Sequence, residues 1–347
     1  MTPATTPTRA RARAASPAVP AASPLPVATT TTLPPPPELP RGGRTLFPRY
    51  TVVGFYGMQG LDVLGAGEPE VVAQPVSTLP VATTTTLAPP PELPGGGRKL
   101  FPRYTVVGFY GMQGLDVLGA GEPDVVAQRL LKVARPYARP GRPVMPMFEL
   151  IATVANPFPT PSGLYRTHQE DEVVQRYLKA VRRIDGVLVL DLQPGRDDFV
   201  ASLRHWERYL RQPDVGVALD PEFAMGPGQV PGRQLGRTNA AAVNRASAYV
   251  AGLVRRHRLP QKLFMVHQFR DSMIHDKARI AMRPGLAMTW NADGFGVRSA
   301  KLEDYRSYTR DRRFHPGLKL FYENDVDLMS PREVLKLKPV PRVVNYQ

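Results

Sequence analysis

Asp220 and Glu222 follow directly on the apolar run Val215–Leu219, with Pro221 between them. Proline has no N–H with which to continue a sheet ladder, so the two carboxylates stand where a buried strand stops. Such a pair can work as acid and base, or as acid and nucleophile, on a glycosidic bond, with the carboxyl separation deciding the stereochemistry. Further polar groups end other apolar runs: Glu149 inside M-F-E-L, Asp191 and Gln193, His267 and Gln268, Trp290, Asn291 and Asp293, Tyr322 and Glu323, and Asn345. Acids, amides and aromatic rings together suit a sugar, because hydroxyls take paired hydrogen bonds and sugar rings stack on aromatic faces.

The elements that must position these groups alternate regularly. The patterning predicts strands at Tyr104–Tyr110, Val144–Ile151, Gly186–Asp191, Val215–Leu219, Leu263–His267, Leu286–Asn291, Leu318–Tyr322 and Val343–Tyr346. Between them it predicts helices at Asp124–Arg135, Gln169–Ile184, Asp197–Leu210, Asn239–His257, Ser272–Ala281, Lys301–Thr309 and Pro331–Lys336. Alternating strands and helices imply parallel strands joined by right-handed crossovers. The number and spacing match a (β/α)8 TIM barrel, whose active sites gather at the C-terminal ends of the strands. A doubly wound open sheet is the alternative, and no G-x-G-x-x-G follows any strand to support it.

The 347 residues divide unevenly. Residues 1–98 are rich in Pro, Thr and Ala, with runs such as Thr29–Thr32 and Pro34–Pro37, a composition that favours extended, disordered chain. Residues 99–347 hold the expected barrel. Leu25–Gln74 repeats as Leu79–Gln128 at an offset of 54, with differences at Pro34/Ala88, Arg41/Gly95, Thr45/Lys99 and Glu70/Asp124 alone. Two near-identical copies point to a recent copying event in the gene, or an error in assembling it, and are too few to stack as a solenoid.

The formal charge is +15, from 45 Lys and Arg against 30 Asp and Glu. Long-range attraction to anionic polymers follows from that balance, but no zinc-knuckle, ribonucleoprotein or basic-region pattern points to nucleic acid. The absence of cysteine excludes disulfides, thiolate metal sites and a cysteine nucleophile. No run of about 18 apolar residues is present, so no membrane span is expected. The N-terminus carries the cations of an export signal without an apolar segment behind them. No cofactor is expected. A metal centre built from Asp220, Glu222, His267 and Asp293 would lack the H-x-H or H-E-x-x-H spacing, and none is expected either.

On these residues the chain resembles barrel glycoside hydrolases. The clan with its acid/base Glu after the fourth strand and its nucleophile Glu after the seventh would assign those roles to Glu222 and Glu323. Chitinase-like and muramidase-like barrels carry D-x-E at the fourth strand, which Asp220-Pro221-Glu222 matches in spacing. Pro221 stands where the first clan has Asn. The phrases Leu259–Phe269, R-P-G-L-A-M-T-W-N-A-D-G-F-G and L-K-L-F-Y-E-N-D resemble a family of exported proteins and lipoproteins of actinobacteria, which implies an extracellular or wall-associated setting but no particular reaction. The expected catalytic residues are therefore Glu222, Glu323 and Asp220. Glu149, Asp191, Gln193, His267, Gln268, Trp290, Asn291, Asp293, Tyr322 and Asn345 are expected to contact a polysaccharide or glycan. The alternatives are a barrel without catalysis that binds anionic cell-wall polymer and, ranked below it, a metal-assisted hydrolase.

Overall fold

The computed structural model describes residues 89–347; the low-complexity stretch up to residue 88 and the first repeat copy lie outside the described residues. Eight strands form the barrel: β1 Thr105–Gly111, β2 Val144–Ala155, β3 Val187–Leu192, β4 Val215–Leu219, β5 Lys262–Gln268, β6 Leu286–Ala292, β7 His315–Leu320 and β8 Val343–Tyr346. Each pairs in parallel with its neighbour in chain order, and β1 pairs with both β2 and β8, so the sheet closes on itself. The main helices around it are α1 Pro123–Ala134, α2 Asp171–Arg182, α3 Phe199–His205, α4 Ala240–Arg256 and α5 Arg298–Tyr308.

Because side chains alternate along a strand, every strand but β7 feeds two cores. Outward residues such as Phe148, Leu150, Leu188, Leu190, Val217, Phe264, Val266 and Leu318 pack with the helices in one large cluster. Inward residues at the N-terminal end, among them Val106, Met145, Met147, Val189, Leu263, Met265 and Val343, form a second cluster capped by Leu93, Leu100, Phe101 and Tyr104. Packing thus begins ahead of residue 99. Leu93 is buried, and the Arg98 guanidinium donates to the carbonyls of Arg258 and Leu259 at 2.9 and 3.0 Å.

Helix starts follow local chemistry. Pro123 opens α1, where a missing N–H costs nothing. Asp198 caps α3 by accepting from the Val200 N–H, and Asn239 caps α4 by accepting from Ala242. The acids Asp171 and Glu172 begin α2 while Lys179 and Arg182 end it, as the helix dipole favours.

Three expected elements differ. Ser272–Ala281 is not an α-helix: 3-10 turns at Asp271–Met273 and Lys277–Arg279 flank a short strand, Ile274–His275, which pairs with Thr238–Asn239. Asp276 sits there at φ 57°, a left-handed conformation that stops a helix. The helix expected over Asp197–Leu210 breaks at Trp206, whose buried indole donates to Thr153 Oγ1 at 3.0 Å. Finally, β7 starts at His315 and ends at Leu320, two residues before the expected end at Tyr322. Pro316 and Gly317 disguise its start. A Cβ on Gly317 would come within 2.9 Å of the Trp290 carbonyl oxygen, so the neighbouring strand demands glycine.

Candidate functional site

Where the inward residues approach the C-terminal end of the barrel, their character changes from apolar to polar. Tyr110 on β1, Glu149 on β2, Asp191 on β3, His267 on β5, Asn291 on β6, Lys319 on β7 and Asn345 on β8 all lie inside, with Asp220 just past β4 and Asp293 just past β6. His267 is the hub. Its Nε2 lies 2.6 Å from Glu149 Oε1 and 3.8 Å from Asp191 Oδ1, and its Nδ1 lies 2.9 Å from Asp293 Oδ2. The Asn345 amide donates to Glu149 Oε2, and the Tyr110 hydroxyl donates to Asp191 Oδ2 at 3.4 Å. Lys319 Nζ is 3.2 Å from Asp293 Oδ1 and 3.4 Å from the centre of the Tyr110 ring.

These charges hold one another in place. Burial disfavours the imidazolium of His267, but Glu149 and Asp293 outweigh it and push its pKa well up. Both ring nitrogens can then donate to carboxylates. The Asn291 amide nitrogen lies 3.3 Å from Nδ1. Burial likewise opposes the charge on Asp293, yet Lys319 and His267 keep its carboxyl below the usual range. Asp191 moves the other way: burial and the neighbouring Asp220 raise it well above the usual value.

Above this layer opens a cavity of about 330 Å³, near the lower end of the roughly 300–1,000 Å³ typical of ligand sites. Its polar lining includes Tyr110, Gln193, Asp220, Glu222, Asp293 and Lys319, and its apolar walls include Phe223, Phe269, Phe295 and Phe321. Phe295 is 63% exposed and meets Phe321 edge to face, presenting an aromatic surface at the mouth. Burial raises the Asp220 carboxyl to about 6. Burial, then Asp220 and Asp293, raise that of Glu222 to about 7.

The turn Pro221–Phe223 carries Glu222 and is fastened on two sides. Asp220 Oδ1 accepts from the Glu222 N–H at 3.1 Å, and the Gly236 N–H donates to the Glu222 carbonyl at 2.7 Å. A Cβ on Gly236 would lie 2.4 Å from the Glu222 oxygen and 2.6 Å from the Ala224 nitrogen, both backbone atoms that cannot rotate away. Gly236→Ala should therefore cost roughly 1–3 kcal/mol by overpacking and displace Glu222 from the cavity. Urea unfolding checks this; an unchanged midpoint would show that the loop over 226–237 is not braced against the turn.

The expected site residues separate into groups. Asp220, Glu222, Gln193 and Asp293 line the cavity. Glu149, Asp191, His267, Asn291 and Asn345 are buried beneath its floor. Gln193 is held by the Ala155 N–H and donates to Tyr110. Gln268 points away, its amide donating to the Arg270 carbonyl and Asp271. Trp290 faces outward, stacked on Phe314 at 4.4 Å, because it alternates with the inward Asn291. Glu323 is exposed and outside the cavity lining, and Tyr322 stacks on Tyr346 at 5.2 Å instead of reaching the cavity. Glu323 lies beyond the early end of β7, and Tyr322 shares the outward parity of Leu318 and Leu320, while Lys319 and Phe321 take the inward positions. Lys319 and Tyr110 are site residues that the sequence reading passed over. The signal for Lys319 was present, a single charge inside the apolar strand L-K-L-F, as Glu149 is inside M-F-E-L.

Glu149, Asp191 and His267 each offer one ligand atom for a cation, all within 4.8 Å of one another. At the opposite end of the barrel lies a wider, open depression of about 730 Å³, lined by Arg98, Lys99, Arg103, Arg139 and Arg142 and by no carboxylate. It has no group for acid/base chemistry. No helix among the described residues is long and apolar enough to cross a membrane.

The chain matches no family model and no curated protein. Among solved structures it is similar to an HPPK-DHPS in complex with substrates, at 12% identity and a TM-score of 0.33, over 71% of this chain and 48% of that one. The chain thus spans about half the length of that protein.

Proposed function

We propose that the barrel is a glycoside hydrolase-like enzyme acting on a polysaccharide, with Glu222 as proton donor and Asp220 as its carboxylate partner. The observation that supports this most is the placement of Glu222, raised to about 7, on the wall of an aromatic-sided cavity beside a second acid raised to about 6. Groups whose environments separate their pKa values can divide the roles of acid and base. Glu222 gives its proton to the leaving oxygen as the glycosidic C–O bond breaks. Ionised Asp220 stabilises the electron-poor anomeric carbon and takes a proton from the water that adds there. Asp293, held by His267 and Lys319, contributes a fixed negative charge to the same space. The resemblance to exported actinobacterial proteins favours a substrate in the cell wall or the surroundings of the cell.

The reaction requires one proton on the pair. Below about 6 Asp220 becomes protonated, and above about 7 Glu222 loses its proton. The expected profile of kcat/KM on a soluble oligosaccharide is a bell with its maximum between these values and about a tenfold loss per pH unit on either side. A flat profile from pH 5 to 8 would remove Glu222 and Asp220 from these roles.

The cation-lined depression favours a second reading, a barrel that binds anionic wall polymer without cleaving it. Absence of turnover across a glycan panel, together with polymer binding that weakens steeply with salt, would select it.

A further inference from the structure

The cluster beneath the cavity floor is arranged in two tiers. The inner atoms are His267 Nε2, Glu149 Oε1 and Asp191 Oδ1, which converge within 4.8 Å. The outer atom of each residue is held by a different neighbour: His267 Nδ1 by Asp293, Glu149 Oε2 by Asn345, and Asp191 Oδ2 by Tyr110. Such partners orient metal ligands and set the imidazole tautomer. One inner atom is also unexplained. Asp191 Oδ1 is fully buried and has no hydrogen-bond partner, although a buried carboxylate oxygen without one is costly.

From this arrangement we infer that Glu149, Asp191 and His267 form a binding site for one divalent transition-metal ion, Zn²⁺ or Mn²⁺, beneath the floor of the cavity. A cation about 2.1 Å from each ligand atom holds those atoms roughly 3–3.5 Å apart. The present separations from His267 Nε2, 2.6 Å to Glu149 and 3.8 Å to Asp191, bracket that range. Two carboxylates and a neutral imidazole balance the double charge, and one nitrogen with two oxygens suits Zn²⁺ or Mn²⁺ better than Ca²⁺, which takes six to eight oxygens. The ion takes the place of the Nε2 proton of His267, while the Nδ1–H goes on donating to Asp293. All three ligands lie below the cavity lining, so the ion braces Tyr110 and Asp293 from beneath and does not touch the substrate. The inference holds whether or not the barrel cleaves sugars.

The test uses the full chain, stripped with a chelator and titrated with Zn²⁺ and Mn²⁺ separately. One equivalent should bind, and the unfolding midpoint should rise by roughly 5 °C or more at a hundredfold excess over Kd. Asp191→Asn should abolish both responses, while Asp220→Asn, altered at a carboxylate outside the ligand set, should retain them. If neither metal binds or stabilises the wild-type chain, the site does not exist, a result that needs no variant to fold. Loss of the ion in Asp220→Asn with retention in Asp191→Asn would overturn the ligand assignment.

Discussion

Glu222→Gln is expected to lower kcat on a cleavable glycan by about 10²–10⁴-fold or more, while leaving the unfolding midpoint and glycan binding close to those of the wild type. Gln keeps the shape and polarity of Glu222 but has no acidic proton for the leaving oxygen. The fold loses little, because the Glu222 side chain makes no ion pair among the described residues and its turn is held through the backbone N–H and carbonyl of Glu222, by Asp220 and Gly236. The environment that raises Glu222 to about 7, burial followed by Asp220 and Asp293, disfavours its anion. Neutral Gln escapes that penalty, so the variant should be no less stable at pH 8. The alkaline limb assigned to Glu222 should also vanish from any residual activity. Wild-type turnover by a folded variant would exclude Glu222 as the donor, and a parallel fall in stability would show a structural effect.

The closed barrel was legible in the sequence because every strand carries its own burial pattern. V-M-P-M-F-E-L and K-L-F-M-V-H-Q each place apolar residues on both faces and change to a charged inward residue near the C-terminal end, at Glu149 and His267. The fourth-strand acids were equally plain, since Pro221 marks the end of the ladder. What a linear reading could not supply was where a strand stops and which parity faces inward. β7 stops at Leu320, so Glu323, which shares the parity of Lys319 and Phe321, falls beyond the ladder, and the period of two turns Trp290 outward when Asn291 turns inward. The three-residue convergence of Glu149, Asp191 and His267 was hidden for another reason. Its members come from β2, β3 and β5, so no local spacing announces them.

Lys319 carries the largest expected effect on stability. Its ammonium is almost wholly buried, pairs with Asp293 Oδ1 at 3.2 Å and sits against the Tyr110 ring. Burial disfavours that charge, but Asp293, Glu149, Asp220 and Asp191 together raise its pKa, so the ammonium is retained at neutral pH. Lys319→Met keeps most of the stem's packing and deletes the charge, leaving Asp293 paired with His267 alone in a layer that holds four carboxyl groups. Removing one partner of a buried pair costs about 3–5 kcal/mol, because the other charge stays behind, and urea unfolding at pH 7 should report a loss of that size. Asp293→Asn in the same background should restore part of it, making the double variant more stable than the sum of the single losses implies. A loss below about 1 kcal/mol, or strict additivity in the cycle, would mean that Lys319 and Asp293 are not coupled and that the polar floor is neutralised in some other way.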